Sequence, residues 1–217
     1  MSSVASRPDN PAPGERHGRI LDAAERCFVR LGFHRTTMQD VAAEAGMSPG
    51  NLYRYFPSKD AIVAGLAERD RAAMAQGFAA QPDAEDAVAT LRRLARKHFL
   101  EEPREKAVLC LEIWSEATRN PAFASLHGDF EADVLGRLEG LVRHARERGQ
   151  ASASVDPRSV ALLMATLANG LFVRRALTPN FDAEREIAQM IAVVEAALAG
   201  AVDLPPHPDA IDPRRSS

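Results

Sequence analysis

SPGNLYRYFPSKD, Ser48 to Asp60, is the stretch on which the reading of this chain turns. Only 6% of the residues are aromatic, yet Tyr53, Tyr55 and Phe56 fall within four residues of one another, beside Arg54 and Lys59 and between two Ser/Pro turn signals. Ser48 is a good N-cap and Pro49 suits the first helical position, so a short helix is predicted over 49–56. Leu52 and Phe56 stand four apart and form one buried seam. The seam leaves Asn51, Tyr53, Arg54 and Tyr55 on exposed faces, where tyrosines beside an arginine at a helix N-terminus suit phosphate. Gly50 has no side chain to keep the helix off a duplex. Lys59, after the Ser58 cap, begins the next helix within reach of another phosphate. In the competing reading the two tyrosines pack on the body with their hydroxyls in water.

Upstream, TTMQDVAAEAG predicts a second short helix over 37–45, capped by Thr36 or Thr37, with Val41 and Ala42 facing inward and Gly46 as its stop. Gln39 stands three residues after Thr36, so a capping box competes with any base-reading role. Helices this short are marginal alone and need neighbours to hold them. Two capped short helices joined by a tight turn describe a helix-turn-helix.

The pattern T-T-x-x-x-V-A-x-x-A-G-x-S-x-G-x-L-Y-x-Y-F-x-S-K-D runs from Thr36 to Asp60 and resembles the TetR family of transcriptional regulators. The resemblance implies a three-helix DNA-binding head, a linking fourth helix and a helical body that binds a small molecule and dimerises. By motif position, the family's DNA contacts fall on Thr37, Gln39, Ser48, Pro49, Gly50, Asn51, Tyr53, Arg54, Tyr55 and Lys59. Tyr55 stands where the family most often has histidine, and a phenol still donates to phosphate. Base reading is expected of Gln39, Asn51 and Ser48, because amides pair bidentately with adenine and short side chains fit the groove.

The rest of the chain bounds the function. Its 217 residues and 46% hydrophobic content support a sizeable core. Cys27 and Cys110 sit far apart in apolar helical patterns, so no disulfide framework or CxxC metal pair is expected. No apolar run approaches the roughly 20 residues needed to span a bilayer, and the N-terminus lacks a signal-peptide core, so a soluble cytoplasmic protein is expected. A formal net charge of −3 confines any DNA binding to a local surface. Prolines concentrate in the ends and otherwise punctuate helical periodicity. An all-α chain of about nine helices follows, at 15–31, 37–45, 49–56, 58–80, 84–101, 104–119, 122–148, 157–177 and 182–200. The expected domains are a disordered tail at 1–14, the DNA-binding head at 15–57, the ligand-binding and dimerisation body at 58–202, and a disordered tail at 203–217.

VALLMATLANGLFV, Val160 to Val173, is apolar nearly all round, so it must bury more than one face. One face serves the core and another a partner copy, with the last helix, striped by Ile187, Ile191, Val194 and Leu198, as its companion. A two-fold dimer would present two heads to a palindromic operator on double-stranded DNA. Phe99, Ile113, Trp114, Phe130, Met164, Leu167, Asn169 and Phe172 are the candidate lining of an effector cavity, with Trp114 its stacking platform. Cys110 reads as a small core hydrophobe. No cofactor or metal is expected: Glu-x-x-His pairs for a di-iron bundle, a GxxxxGK loop, HExxH and GxSxG are all missing, which argues against an enzyme. The expected function is a ligand-responsive repressor released by a small, largely apolar effector. The alternative is a helical protein-interaction module.

Overall fold

The computed structural model describes residues 13–79 and 86–207, and the tails expected at 1–14 and 203–217 fall mostly outside them. The described residues form nine α-helices and one π-helical turn, with no strand. In order these are α1 (Pro13–Leu31), α2 (Met38–Glu44), α3 (Pro49–Leu52), α4 (Lys59–Ala79), α5 (Ala87–Arg96), the π-turn (Lys97–Glu101), α6 (Arg104–Ala117), α7 (Pro121–Glu147), α8 (Pro157–Leu177) and α9 (Ala183–Leu198).

The chain divides into two compact units at Leu66. In the first, Ile20, Ala24, Cys27 and Phe28 of α1, Val41 and Ala42 of α2, Leu52 of α3, and Phe56 are all buried, and α2 packs on both α1 and α3. This unit extends past the boundary expected at 57 because the start of α4 belongs to the same core: Ile62, Val63 and Leu66 are buried there. α3 is also shorter than the predicted 49–56. Its last turn tightens, with the Tyr55 and Phe56 amides both donating to the Leu52 carbonyl at 2.9 and 3.0 Å, before Pro57 interrupts the chain.

α2 stops as the sequence suggests. Gly46 takes φ +67°, and the amides of Gly46 and Met47 donate to the Ala43 and Ala42 carbonyls. A Cβ at Gly46 would meet nothing within 4 Å, so Gly46→Ala isolates the backbone cost. It should lower the unit's stability by about 1–2 kcal/mol in urea denaturation. An unchanged midpoint would contradict the left-handed turn.

The second unit is built round α7, α8 and α9, with α5 and the π-turn closing the core. The predicted stripe of α9, Ile187, Ile191, Val194 and Leu198, is buried. α8 buries Val160, Ala161, Met164, Ala165 and Leu171 on one side. On the other it leaves Leu162, Val173 and Leu177 exposed, at 46%, 37% and 69%, and α9 adds Val193 at 40%. Contrary to the expectation that no run approaches that length, α8 is long and apolar enough to cross a membrane by length and composition alone. Its apolar residues divide between a core stripe and an outward face.

The segment after α9 is docked as far as it is described. The Ser159 hydroxyl donates to the Pro205 carbonyl at 2.8 Å, the His207 amide donates to the Asp156 carboxylate at 3.2 Å, and Val202 and Leu204 pack on the core. The tail expected from 203 onward therefore begins in ordered contact, because Asp156 at the α8 N-cap offers it an acceptor.

Candidate nucleic-acid interface and effector site

Leu52, fully buried, and Phe56, 4% exposed, hold α3 by its rear. The front carries the side chains expected at DNA: Ser48, Pro49, Gly50, Tyr53 and Arg54 are exposed, and Asn51 and Tyr55 half-buried. The Ser48 hydroxyl accepts from the Asn51 amide at 3.3 Å, fixing the N-cap. Tyr53 is 52% exposed, so packing on the body is not its role. Space for a Cβ at Gly50 is open, consistent with close approach of a surface. Arg16 of α1, which the sequence reading missed, donates to the Tyr55 hydroxyl at 3.4 Å. Nothing local in sequence links residues so far apart.

α2 is capped by Thr37, and its box partner is Asp40. The Thr37 hydroxyl accepts from the Asp40 amide, and the Asp40 carboxylate accepts from the Thr37 amide and hydroxyl at 2.8 and 2.7 Å. Thr36 is instead buried and donates to the Gly32 carbonyl at 2.8 Å. A box between Thr36 and Gln39 is therefore excluded, and Gln39 is exposed. The hydrogen bonds from Thr37 hold the Asp40 carboxyl below its ordinary range, and Arg26 and Arg30 do the same for Glu44, tying α2 to α1.

Depressed carboxyl pKa values give stability that is present above the unfolded pKa of about 4 and lost as pH falls through the folded value. The first unit should therefore melt at falling temperatures below about pH 4, and Asp40→Asn should flatten part of that dependence in thermal scans. A wild-type-like acid slope in the variant would remove the box from the account.

Lys59 is placed differently from the expected phosphate contact. Its ammonium donates to the carbonyls of Phe33, His34 and Thr36, at 2.7, 3.3 and 3.1 Å, and lies 4.3 Å from the centre of the Phe33 ring. An ammonium has three donors, and these bonds clasp the α1–α2 loop to the start of α4.

In the second unit, the candidate effector residues separate into groups. Phe99 of the π-turn, Trp114 of α6 and Phe172 of α8 form a ring cluster: Phe172 lies 4.8 Å from Phe99 and 5.9 Å from Trp114 between centroids. His98 and His127 join it at 6.4 Å from Phe172 and 6.0 Å from Trp114. Trp114, Phe172, Ile113 and Leu167 are half-buried, whereas Phe99 and Met164 are buried. Phe130 lies on a shallow cleft with Arg71, Met74, Asp133, Val134 and Arg137. Asn169 is exposed and shares the outward face of α8 with Leu162, Thr166 and Val173. The sequence grouped it with the rings because it interrupts the same apolar run. Among the described residues no group of three or more His, Cys, Asp or Glu side chains is placed to hold a metal ion.

A pair of short capped helices, buried behind and polar in front, joined to a separate helical unit, defines a helix-turn-helix transcriptional regulator. Residues 20–66 match the bacterial regulatory proteins of the TetR family, and residues 87–202 match the C-terminal region of BetI-type transcriptional repressors. The chain belongs to the TetR family. It is 34% identical over 180 residues to the HTH-type transcriptional repressor Rv1474c of Mycobacterium tuberculosis, covering 74% of this chain and 94% of that one. It is 26% identical over 165 residues to the HTH-type transcriptional regulator UidR of Escherichia coli, covering 70% and 78%. Among solved structures, Salmonella enterica GusR superposes with a TM-score of 0.73 at 25% identity, covering 88% of this chain and 99% of that one. The SmeT–triclosan complex superposes with a TM-score of 0.72 at 25% identity, covering 89% and 98%. The relatives are regulators, not enzymes.

Proposed function

We propose that the chain is a cytoplasmic repressor that binds a palindromic operator as a homodimer and is released by a small, largely apolar effector. The observation that carries the DNA reading is the division of one short stretch: Leu52 and Phe56 buried, Ser48, Pro49, Gly50, Tyr53 and Arg54 exposed. Tyr53, Arg54, Tyr55 and Thr37 fix the head on phosphates, and Gln39, Asn51 and Ser48 face base edges. The outward apolar residues of α8 and α9 favour self-association, because a lone chain would leave them in water. The half-buried ring cluster and the relative bound to triclosan support a small-molecule effector. Such a molecule acts only by binding the DNA-competent and DNA-incompetent arrangements with different affinity.

Fluorescence anisotropy on operator variants separates the roles. Tyr53→Phe should weaken binding about tenfold on every operator, since a hydrogen bond to a charged group is lost. Asn51→Ala should change which base is preferred at one position of each half-site. If Tyr53→Phe binds every duplex as the wild type does, the phosphate role fails; unaltered base preference in Asn51→Ala removes that residue from base reading.

A further inference from the structure

Arg175 ends the core-facing stripe of α8, in phase with Met164, Ala168 and Leu171, and is only 8% exposed. One of its terminal nitrogens donates to the Glu102 carbonyl, and its Nε–H has no partner. Among the described residues it forms no ion pair. The carboxylate of Glu102, the residue whose carbonyl Arg175 holds, is engaged elsewhere: His98 Nδ1 lies 3.4 Å from one oxygen and Lys106 Nζ 3.2 Å from the other. Burial alone would push that carboxyl up, but His98 and Lys106 outweigh it, so Glu102 stays ionised and committed to them.

Arg104 makes the arrangement rigid. Its Nε donates to the Arg175 carbonyl at 3.2 Å and a terminal nitrogen donates to the Ala176 carbonyl, so the end of α8 is clasped to the start of α6. Burial draws the Arg175 guanidinium below the usual arginine range, with Glu102 and Glu105 offsetting part of the effect from a distance. An arginine side chain nonetheless stays charged. A buried cation without an anionic partner is strongly destabilising. The natural complement is a carboxylate, whose two oxygens match the guanidinium fork.

The surroundings say what that carboxylate is attached to. Phe172 stands one turn before Arg175 on α8, and the π-turn that carries His98 and Phe99 ends beside Glu102, whose carbonyl holds Arg175. Phe172 in turn packs on Phe99 and Trp114. We propose that Arg175 anchors the acidic group of the effector, a carboxylate whose apolar body lies against Phe172, Phe99 and Trp114. This rests on the reading of the second unit as an effector domain and names the effector's chemical class.

The test is calorimetry and thermal shift on the full chain with benzoate, 2-naphthoate and octanoate, each against its methyl ester. At least one acid should bind ten or more times tighter than its ester. Arg175→Met should abolish the difference, and the free variant should melt no lower than the wild type, because an unpaired buried charge has been replaced by an apolar chain. Should methionine unfold the unit, Arg175→Lys keeps the charge without the fork, and the acid preference should fall about tenfold. If no acid outbinds its ester, or if the preference survives in the variants, the inference is overturned. Esters that bind as tightly as acids would uphold an effector domain while removing Arg175 from it. Operator binding is not read in this experiment, so the DNA reading stands or falls separately.

Discussion

Phe56→Ala should cost the first unit about 3–5 kcal/mol and abolish operator binding, while leaving the second unit folded. Phe56 is 4% exposed, its ring lies 4.4 Å from that of His17, and a Cβ on Gly65 of α4 would meet it at 3.1 Å. It is thus the side chain on which α1, the α3 turn and the start of α4 converge. α3 has only four residues and no helical stability of its own, so removing this support frees the whole front that carries Asn51, Tyr53 and Arg54. A unit this small has little stability in reserve. Hydrogen exchange should show protection lost over residues 20–66 and retained over α7 to α9. Retained protection in the first unit with operator binding intact would mean that the seam does not position the interface.

Leu162→Glu combined with Val193→Glu should convert the protein to a monomer and lower operator affinity about a hundredfold or more, because two linked heads gain from effective concentration and one does not. Both residues are large, apolar and at least 40% exposed, so the substitutions should leave each chain folded. Around a two-fold axis each substitution appears twice, placing four carboxylates in one apolar contact. Sedimentation equilibrium reads the change directly. A variant that still sediments as a dimer would move the contact away from the outward face of α8 and α9.

Much of this was legible in the sequence, for identifiable reasons. The Leu52 and Phe56 seam follows from helical spacing between two Ser/Pro caps, and the α9 stripe from the same periodicity. What stayed hidden were choices between neighbours. Thr36 and Thr37 are equivalent as caps on paper; the structure separates them because the Thr36 hydroxyl is taken by the Cys27 and Gly32 carbonyls. Lys59 looks like a phosphate contact until the carbonyls of a loop far upstream claim its donors. Arg174 and Arg175 are likewise indistinguishable by type: Arg174 turns outward to Glu186, whereas Arg175 falls on the buried phase of Met164 and Leu171. That phase was readable, as was the opposite phase that puts Asn169 with Leu162 and Val173. The end of the head at Leu66 lies inside a continuous helix, where Gly65 beside it breaks neither the helix nor its periodicity.

Selection of binding sites from a randomised duplex pool, followed by an anisotropy titration of the enriched site, tests the central claim most directly. An inverted repeat bound by two chains per duplex, with affinity falling steeply as salt rises, is the expected result. A pool that shows no enrichment, or a single asymmetric site bound by one chain, would contradict it.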